Sequence, residues 1–554
     1  MAINKNGGLT FFTAVVHRRG VETLQKYIDA GIDINTENPK GYTLIHVAAS
    51  DGTFDTFKIL CESSANALLV GNNGETALHL AAANTSGYRI LEYLLEQDVD
   101  LEADCERLGT PLMAAITNDL TATKLLLKKT ANVNTVSKFC ATHNALQTAA
   151  SQGSDTIIKV LLVAGADASM RGGSSGSALC AAVMSGNKDA VMLLIDKETD
   201  INYAEGPKGS ALELAISCQF PEIVELFFER DVDVNVVSKG KYDTGTGTAL
   251  IAAVYAGDIN TVQKLLDLKA DVDLSPAGGE PPVQVAVRMG LRNIVEVLVK
   301  NGVKLDYRDK NGRGVLSHAI SHLSFNVFPY LIQQPGVDID QQDAFGRTPL
   351  IHAAIQGNAA VRDILSRKPK IDVRDRWGRT ALTYAASRDH GPLVSMLIAA
   401  RADPLIQDTR GRDALYWAAL QPNRHPFTQV LVKMATLETP PSRFEHAVNA
   451  AISVGNLNFV QRLLKDSHFW NYYADQDGWT AAYTALRYRQ EGRIASLIAQ
   501  AIKDARRWKL STVGQLNLPT EWHPTDMSGY LTRQPDKMSI KVECEIILSA
   551  LILP

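Results

Sequence analysis

Histidine, cysteine and acidic residues could supply nucleophiles, general bases or metal ligands, but their spacing in this chain favours none of these roles. The 554 residues include twelve His and six Cys, with no C-x-x-C pair and no HExxH. Asp231 and Asp233 belong to a recurring segment in which Asp caps turns. The stretch GGSSG at 172–176 lacks the Lys-Ser/Thr of a phosphate-binding loop. We therefore expect no catalytic residue, no cofactor and no metal site.

A different group of residues shares one position in a repeated phrase. The chain reads GRTPLIHAAIQGN from Gly346, and similar phrases recur at fourteen anchors, separated by 32 to 34 residues with one exception of 38. Four residues after the anchor, most copies have a small or apolar residue. Four consecutive copies instead have His318, His352, Tyr384 and Trp417.

Stacked repeats would align these four residues as a column, and two interpretations of it remain open. The column could pack between repeats, or it could be a partner-binding stripe, since Tyr and Trp are enriched where binding energy concentrates. Metal binding by His318 and His352 is disfavoured, because no carboxylate or thiolate recurs with them at ligand spacing.

The same phrase predicts a short helix in each copy. Thr348 is a hydroxyl N-cap, and Pro349 stands at a helix position where a missing N–H is harmless. Ala353 and Ala354 allow close packing, and Gly357 can end the helix in the left-handed conformation. A second helix with a paired aliphatic follows, such as Leu161-Leu162 or Leu265-Leu266, and then a turn-rich segment leads to the next copy.

Two short helices and a loop cannot bury a core alone, but stacked copies can. The phrase T-x-L-H-x-A-A at 76–82, with GAD at 165–167 and VDVN at 232–235, resembles the ankyrin repeat family. An earlier degenerate copy at Phe11 brings the total to about fifteen repeats. The resemblance covers residues ~9 to ~505. It implies an all-α ankyrin solenoid, with loops that project from one edge and a role in binding other proteins.

The chain departs from the family pattern in two places. The family's histidine, third after the anchor, is present only at His46 and His79. The loop between Asn235 and Thr248 is about five residues longer than the others.

The resemblance also indicates which surfaces could contact a partner. Candidates on the concave side, near the ends of first helices, include Tyr255 and Arg288. Candidates on the loop tips include Phe345, Trp377 and Trp479. An aromatic just before a structural Gly is not needed for the turn itself, so it could bind a partner or pack locally.

The composition limits which partners and which cellular compartment can be expected. A net charge of -4 gives no reason to propose direct nucleic-acid binding. The N-terminus lacks the apolar region of a signal peptide, and no run reaches the ~20 apolar residues of a membrane span. We expect a monomer that is cytoplasmic or nuclear, not secreted and not inserted in a membrane.

The repeat pattern predicts four segments. These are an N-terminal capping repeat at 1–40, tandem repeats at 41–478, a C-terminal capping repeat at 479–510 and a non-repeat tail at 511–554. About 25 residues of the tail resemble the start of a SPRY domain, which would be truncated because a β-sandwich needs ~100 residues.

Two functions fit the sequence. The first is a non-enzymatic scaffold or adaptor that binds proteins through its concave face and loop tips. The alternative is a regulatory subunit, such as a nuclear transcription coregulator. An enzyme is the least expected class.

Overall fold

In most repeats a side chain caps the first helix, as the sequence predicts, although Gly314 stands at this position before Val315. In the computed structural model, the Thr348 hydroxyl accepts a hydrogen bond from the Ile351 N–H at 3.3 Å, and Pro349 is the first helical residue. Gly357 ends this helix at φ 72°, and Ala353 and Ala354 are fully buried. The predicted roles of these residues are therefore confirmed.

The structure describes residues 12, 20–38, 41–118, 120–197, 200–238 and 247–421, and isolated positions between 447 and 459. It divides into a first unit of residues 1–286 with 293–303, and a second of 287–292 with 304–554. The predicted capping repeat at 479–510, the tail, Trp479 and most of the long loop lie outside the described residues.

The described residues form 24 helices and two short strands. From the N-terminus to the hairpin, the helices are α1 Gly20–Asp29, α2 Leu44–Asp51, α3 Phe54–Glu62, α4 Ala77–Ala83, α5 Tyr88–Leu94, α6 Pro111–Ile116, α7 Leu120–Lys128, α8 Ala145–Ser151 and α9 Asp155–Val163. After the hairpin come α10 Ala178–Ser185, α11 Lys188–Ile195, α12 Ala211–Ser217, α13 Pro221–Phe228, α14 Ala249–Ala256, α15 Ile259–Asp267, α16 Pro282–Arg288 and α17 Arg292–Lys300. The last seven are α18 Val315–Ser321, α19 Phe328–Leu331, α20 Pro349–Gln356, α21 Ala360–Ser366, α22 Ala381–Ser387, α23 Gly391–Ala399 and α24 Ala414–Ala419.

Helices α2 to α23 form eleven pairs, each a first helix followed by a second. In the first unit, first helices pack on the next first helix from α2 through α14, and in the second unit from α18 through α24. Most of their alanines are almost fully buried, so neighbouring helices lie close together. The fold class is thus an all-α ankyrin solenoid, as the repeat predicts.

The glycine-rich stretch forms a small hairpin at a repeat junction. Strands β1 (Arg171–Gly172) and β2 (Gly176–Ser177) are antiparallel and pair Arg171 with Ser177. The stretch therefore shapes a loop rather than a phosphate cradle.

The two motif histidines join one repeat to the next. The Nδ1 atom of His79 lies 2.9 Å from the Thr76 hydroxyl, and its Nε2 atom lies 3.0 Å from the carbonyl oxygen of Ala103. Burial lowers the pKa of His79, although hydrogen bonds to backbone carbonyls of the next loop oppose this shift. His46 makes the same two kinds of contact, with Thr43 and Leu69.

Candidate functional site

Three of the four residues of the column are buried in the interior of the second unit. His318, His352 and Tyr384 are buried, and Trp417 is half-buried. A partner that docks on the folded surface cannot reach the first three rings. Their burial favours the packing interpretation of the column.

Four loops next to this column share the sequence Asp-x-x-Gly-Arg and the same hydrogen-bond pattern. In each loop, one carboxylate oxygen of the Asp accepts the backbone N–H groups of the second and fourth residues that follow. For Asp343 these are the N–H groups of Phe345 and Arg347, both at 2.8 Å. The other three loops repeat the pattern, with Asp309, Asp375 and Asp408 as the acceptors.

The second carboxylate oxygen of two of these residues binds the column. The Asp343 Oδ2 atom lies 2.9 Å from His352 Nε2, and Tyr384 donates its hydroxyl to Asp375 Oδ2 at 2.7 Å. Burial alone would raise the pKa of Asp343, but the hydrogen bonds from His352 and from the backbone hold it below its ordinary value. Burial, together with the hydrogen bond to Asp375, raises the pKa of Tyr384. These column residues therefore hold the loops in place.

Backbone hydrogen bonds connect each of these loops to the next. The N–H groups of Ala344, Arg376 and Thr409 donate to carbonyl oxygens of the preceding tip, at 2.9, 2.8 and 2.9 Å. We call the resulting surface the tip ridge, and it comprises residues 308–313, 342–347, 374–379 and 407–412.

Glycine is required where one tip approaches the next. Gly378 has φ 75°, and a Cβ there would lie 2.8 Å from Arg374 Nη2 and 3.0 Å from the Thr409 nitrogen. The tip ridge is thus closely packed along its backbone.

Two of the predicted candidates form the exposed centre of the tip ridge. The rings of Phe345 and Trp377 stack at a centroid distance of 5.9 Å and an angle of 13°, and they remain 37% and 39% exposed. The Arg347 guanidinium lies 5.2 Å from the Phe345 ring and 5.0 Å from the Trp377 ring, in range of cation–π attraction.

Trp417 occupies a different setting between arginines. The guanidinium groups of Arg379 and Arg412 lie 4.6 and 4.4 Å from its ring centroid. Its indole nitrogen is buried and has no hydrogen-bond partner among the described residues. The ring therefore contributes through stacking rather than through its N–H group.

Tyr255 and Arg288 stand at the ends of first helices, as expected. Tyr255 is the penultimate residue of α14 and is 42% exposed. Arg288 is the last residue of α16 and is half-buried.

His318 is a buried histidine of the column with a lowered pKa. Burial, with the charges of His322 and Arg313, lowers its pKa to about 4. Its Nδ1 atom is buried without a hydrogen-bond partner among the described residues. The ring is therefore neutral at neutral pH.

We expect His318 to make the protein less stable as the pH falls. The unfolded chain, with a pKa near 6.5, takes up a proton below that pH, whereas the folded chain does so only near pH 4. Between pH 7.5 and pH 5 this linkage should remove about 2 kcal/mol of unfolding free energy. Urea unfolding at both pH values measures this difference. The unfolding free energy lost between pH 7.5 and pH 5 should be smaller by that amount in His318→Leu than in the wild-type protein. An equal loss in the two proteins would contradict the lowered pKa of His318.

The loop Asp and Arg residues hold the tips in place, and the residues of the column did not point to them. They recur at 309 and 313, 343 and 347, 375 and 379, and 408 and 412. The Asp-x-x-Gly-Arg spacing was visible in the sequence and could have identified them. The spacing could not predict that the carboxylates of Asp343 and Asp375 bind the side chains of His352 and Tyr384, nine residues further on.

Two kinds of feature are absent from the described part of the chain. There, no three His, Cys, Asp or Glu side chains converge as a metal site would require. None of the helices described above is both long and apolar enough to cross a bilayer.

The repeat geometry agrees with the comparison to protein families. A family described as ankyrin repeats, in three copies, matches residues 11–107, 87–172, 146–238, 236–309 and 358–441, which is more than half of the chain. The protein belongs to the ankyrin repeat family.

Individual relatives match only part of the chain. The potassium channel AKT2/3 of Arabidopsis thaliana is 31% identical over 29% of this chain and 20% of its own length. Ankyrin repeat domain-containing protein 63 of Mus musculus is 33% identical over 28% of this chain and 42% of its own length. NF-kappa-B inhibitor delta of Mus musculus is 25% identical over 35% of this chain and 68% of its own length. The chain thus spans less than half the length of the first two relatives. The ankyrin repeats and the relatives that carry them fit a role in protein interaction.

Proposed function

We propose that this protein is a non-enzymatic scaffold or adaptor that binds partner proteins through the tip ridge and the concave face. The observation that carries the proposal is the exposed stack of Phe345 and Trp377 on a ridge held by backbone hydrogen bonds. Aromatic side chains supply much of the binding energy in protein interfaces. A ridge that is already ordered loses little conformational entropy on binding.

The remaining candidates have different roles in this proposal. Tyr255 and Arg288 serve as contacts on the concave side. His318, His352, Tyr384 and Trp417 support the tip ridge from within, because their rings pack beneath or between its loops. The protein acts as a monomer without direct contact to nucleic acid.

The alternative is a regulatory subunit in the nucleus, such as a transcription coregulator. It is supported by the similarity to a protein named as an NF-kappa-B inhibitor. A fluorescent fusion separates the two: a signal confined to the cytosol contradicts the nuclear role, and a nuclear signal supports it.

Affinity capture with quantitative mass spectrometry tests the proposed function. We expect Phe345→Ala/Trp377→Ala to lower the recovery of wild-type partners at least fivefold, because it removes the exposed apolar contact of the ridge. The matched control is Val163→Ala/Leu268→Ala, which shortens two residues that are 91% and 45% exposed at the ends of second helices. Equal recovery with the ridge variant and the control would contradict the role of the ridge.

A further inference from the structure

We propose that the tip ridge binds an extended acidic segment of a partner protein. This inference rests on the proposed function and specifies the chemistry of the partner. It depends on three properties of the ridge, namely its charge, its spacing and its exposed aromatic stack.

The tip ridge is basic although the whole chain is acidic. Its four segments hold nine Lys and Arg and four Asp, a net charge of +5, whereas the chain has a net charge of -4. All four Asp point their carboxylates inward to the N–H groups of their own turns. The exposed cations are Arg308, Lys310, Arg374, Arg376 and Arg410.

The exposed cations of the ridge keep their charge available. Arg308 and Arg374 donate hydrogen bonds to neutral carbonyl oxygens of the next tip, those of Gln342 and Gln407. Arg376 and Arg410 form no salt bridge with any residue of the described ranges. An acidic ligand would therefore not have to displace an internal carboxylate from these two side chains.

The spacing of the tips suits an extended peptide. Neighbouring repeats are separated by about 10 Å, and an extended chain advances ~3.3 Å per residue, so each interval corresponds to roughly three residues. Four tips then fit a segment of about ten residues. Carboxylates on such a segment would face the cations, and an apolar side chain would rest on the Phe345–Trp377 stack.

The aromatic geometry favours a peptide over single-stranded nucleic acid. Nucleic-acid platforms present ring faces on which successive bases stack. Phe345 and Trp377 are instead stacked on each other at 5.9 Å, with Arg347 within 5.2 Å of both ring centroids. This leaves no gap for a base between the two rings.

Fluorescence anisotropy of the full chain tests the proposal with a labelled peptide of sequence EEDFEEDLEE. We expect saturable binding that weakens at least tenfold between 50 and 300 mM NaCl, because salt screens exposed charges. R376E/R410E should weaken binding at least tenfold, and R376Q/R410Q serves if the charge reversal does not fold. The matched control is R362E/R367E, which reverses two exposed cations at α21, away from the ridge.

Three results would overturn the proposal. The first is equal binding of the peptide by R376E/R410E and R362E/R367E. The second is binding of a peptide in which Gln and Asn replace every Glu and Asp as tightly as the acidic one. The third is binding of labelled oligo(dT) in place of the peptide. If the peptide does not bind but capture of partners still depends on Phe345 and Trp377, the proposed function stands. In that case only the inference that the partner segment is acidic is wrong.

Discussion

Replacing Asp375 with alanine is expected to lower the free energy of unfolding by about 3 kcal/mol. The carboxylate is buried and accepts the N–H groups of Trp377 and Arg379 at 3.0 and 2.9 Å and the Tyr384 hydroxyl at 2.7 Å. Alanine leaves all three donors without their acceptor inside the second unit. Each unsatisfied buried donor costs more than an average hydrogen bond contributes.

A double-mutant cycle with Tyr384→Phe separates the hydrogen bond that Asp375 accepts from the Tyr384 hydroxyl from the two that it accepts from backbone N–H groups. Tyr384→Phe should cost about 1 kcal/mol, and the pair should be coupled by about 1 kcal/mol because both changes remove the same hydrogen bond. Asp375→Asn should cost less than Asp375→Ala, since its amide oxygen can still accept the two backbone N–H groups. Strictly additive losses would show that the hydroxyl does not bind the carboxylate in solution.

Hydrogen exchange should accompany the denaturant experiment, because a long repeat array can unfold in parts and then lacks a single unfolding free energy. Faster exchange confined to the tip ridge and α22 would locate the effect of Asp375→Ala. Unchanged exchange there, with loss of stability elsewhere, would contradict the positioning role of this carboxylate.

Phe227→Ala is expected to cost 3–5 kcal/mol, as is usual when a buried aromatic side chain is removed from a core. Phe227 lies in α13 of the first unit and is fully buried. The loss combines the apolar surface that is no longer buried with the cavity that the small side chain leaves.

The neighbouring residue provides the control for this second prediction. Phe228 is only half-buried, so Phe228→Ala should cost clearly less than Phe227→Ala, although the change in composition is identical. Denaturant unfolding of the two variants measures the difference. Equal losses would mean that α13 does not present its Phe227 face to the core.

Much of the local structure follows from the sequence alone. Thr348, Pro349 and Gly357 act through contacts within one helix, so their residue types and spacing were sufficient to predict its start and its end. The repeat period likewise predicted stacking, because a helix pair with one apolar face has no other way to bury it. The sequence also predicted loop-tip positions for Phe345 and Trp377, since each stands just before a glycine of its turn.

The sequence determined the repeat, its helices and the family, because these depend on periodic residue types and on contacts between near neighbours in the chain. Only the tertiary structure showed that the side chains of His318, His352 and Tyr384 are buried. An aromatic or histidine ring at the same repeat position can face a partner or the interior. That choice depends on where a buried carboxylate such as Asp343 or Asp375 is placed, nine residues away in the chain. The basic charge of the tips can likewise be counted in the sequence, but only the tertiary structure shows that the loop Asp carboxylates accept hydrogen bonds from their own turns while Arg376 and Arg410 remain exposed.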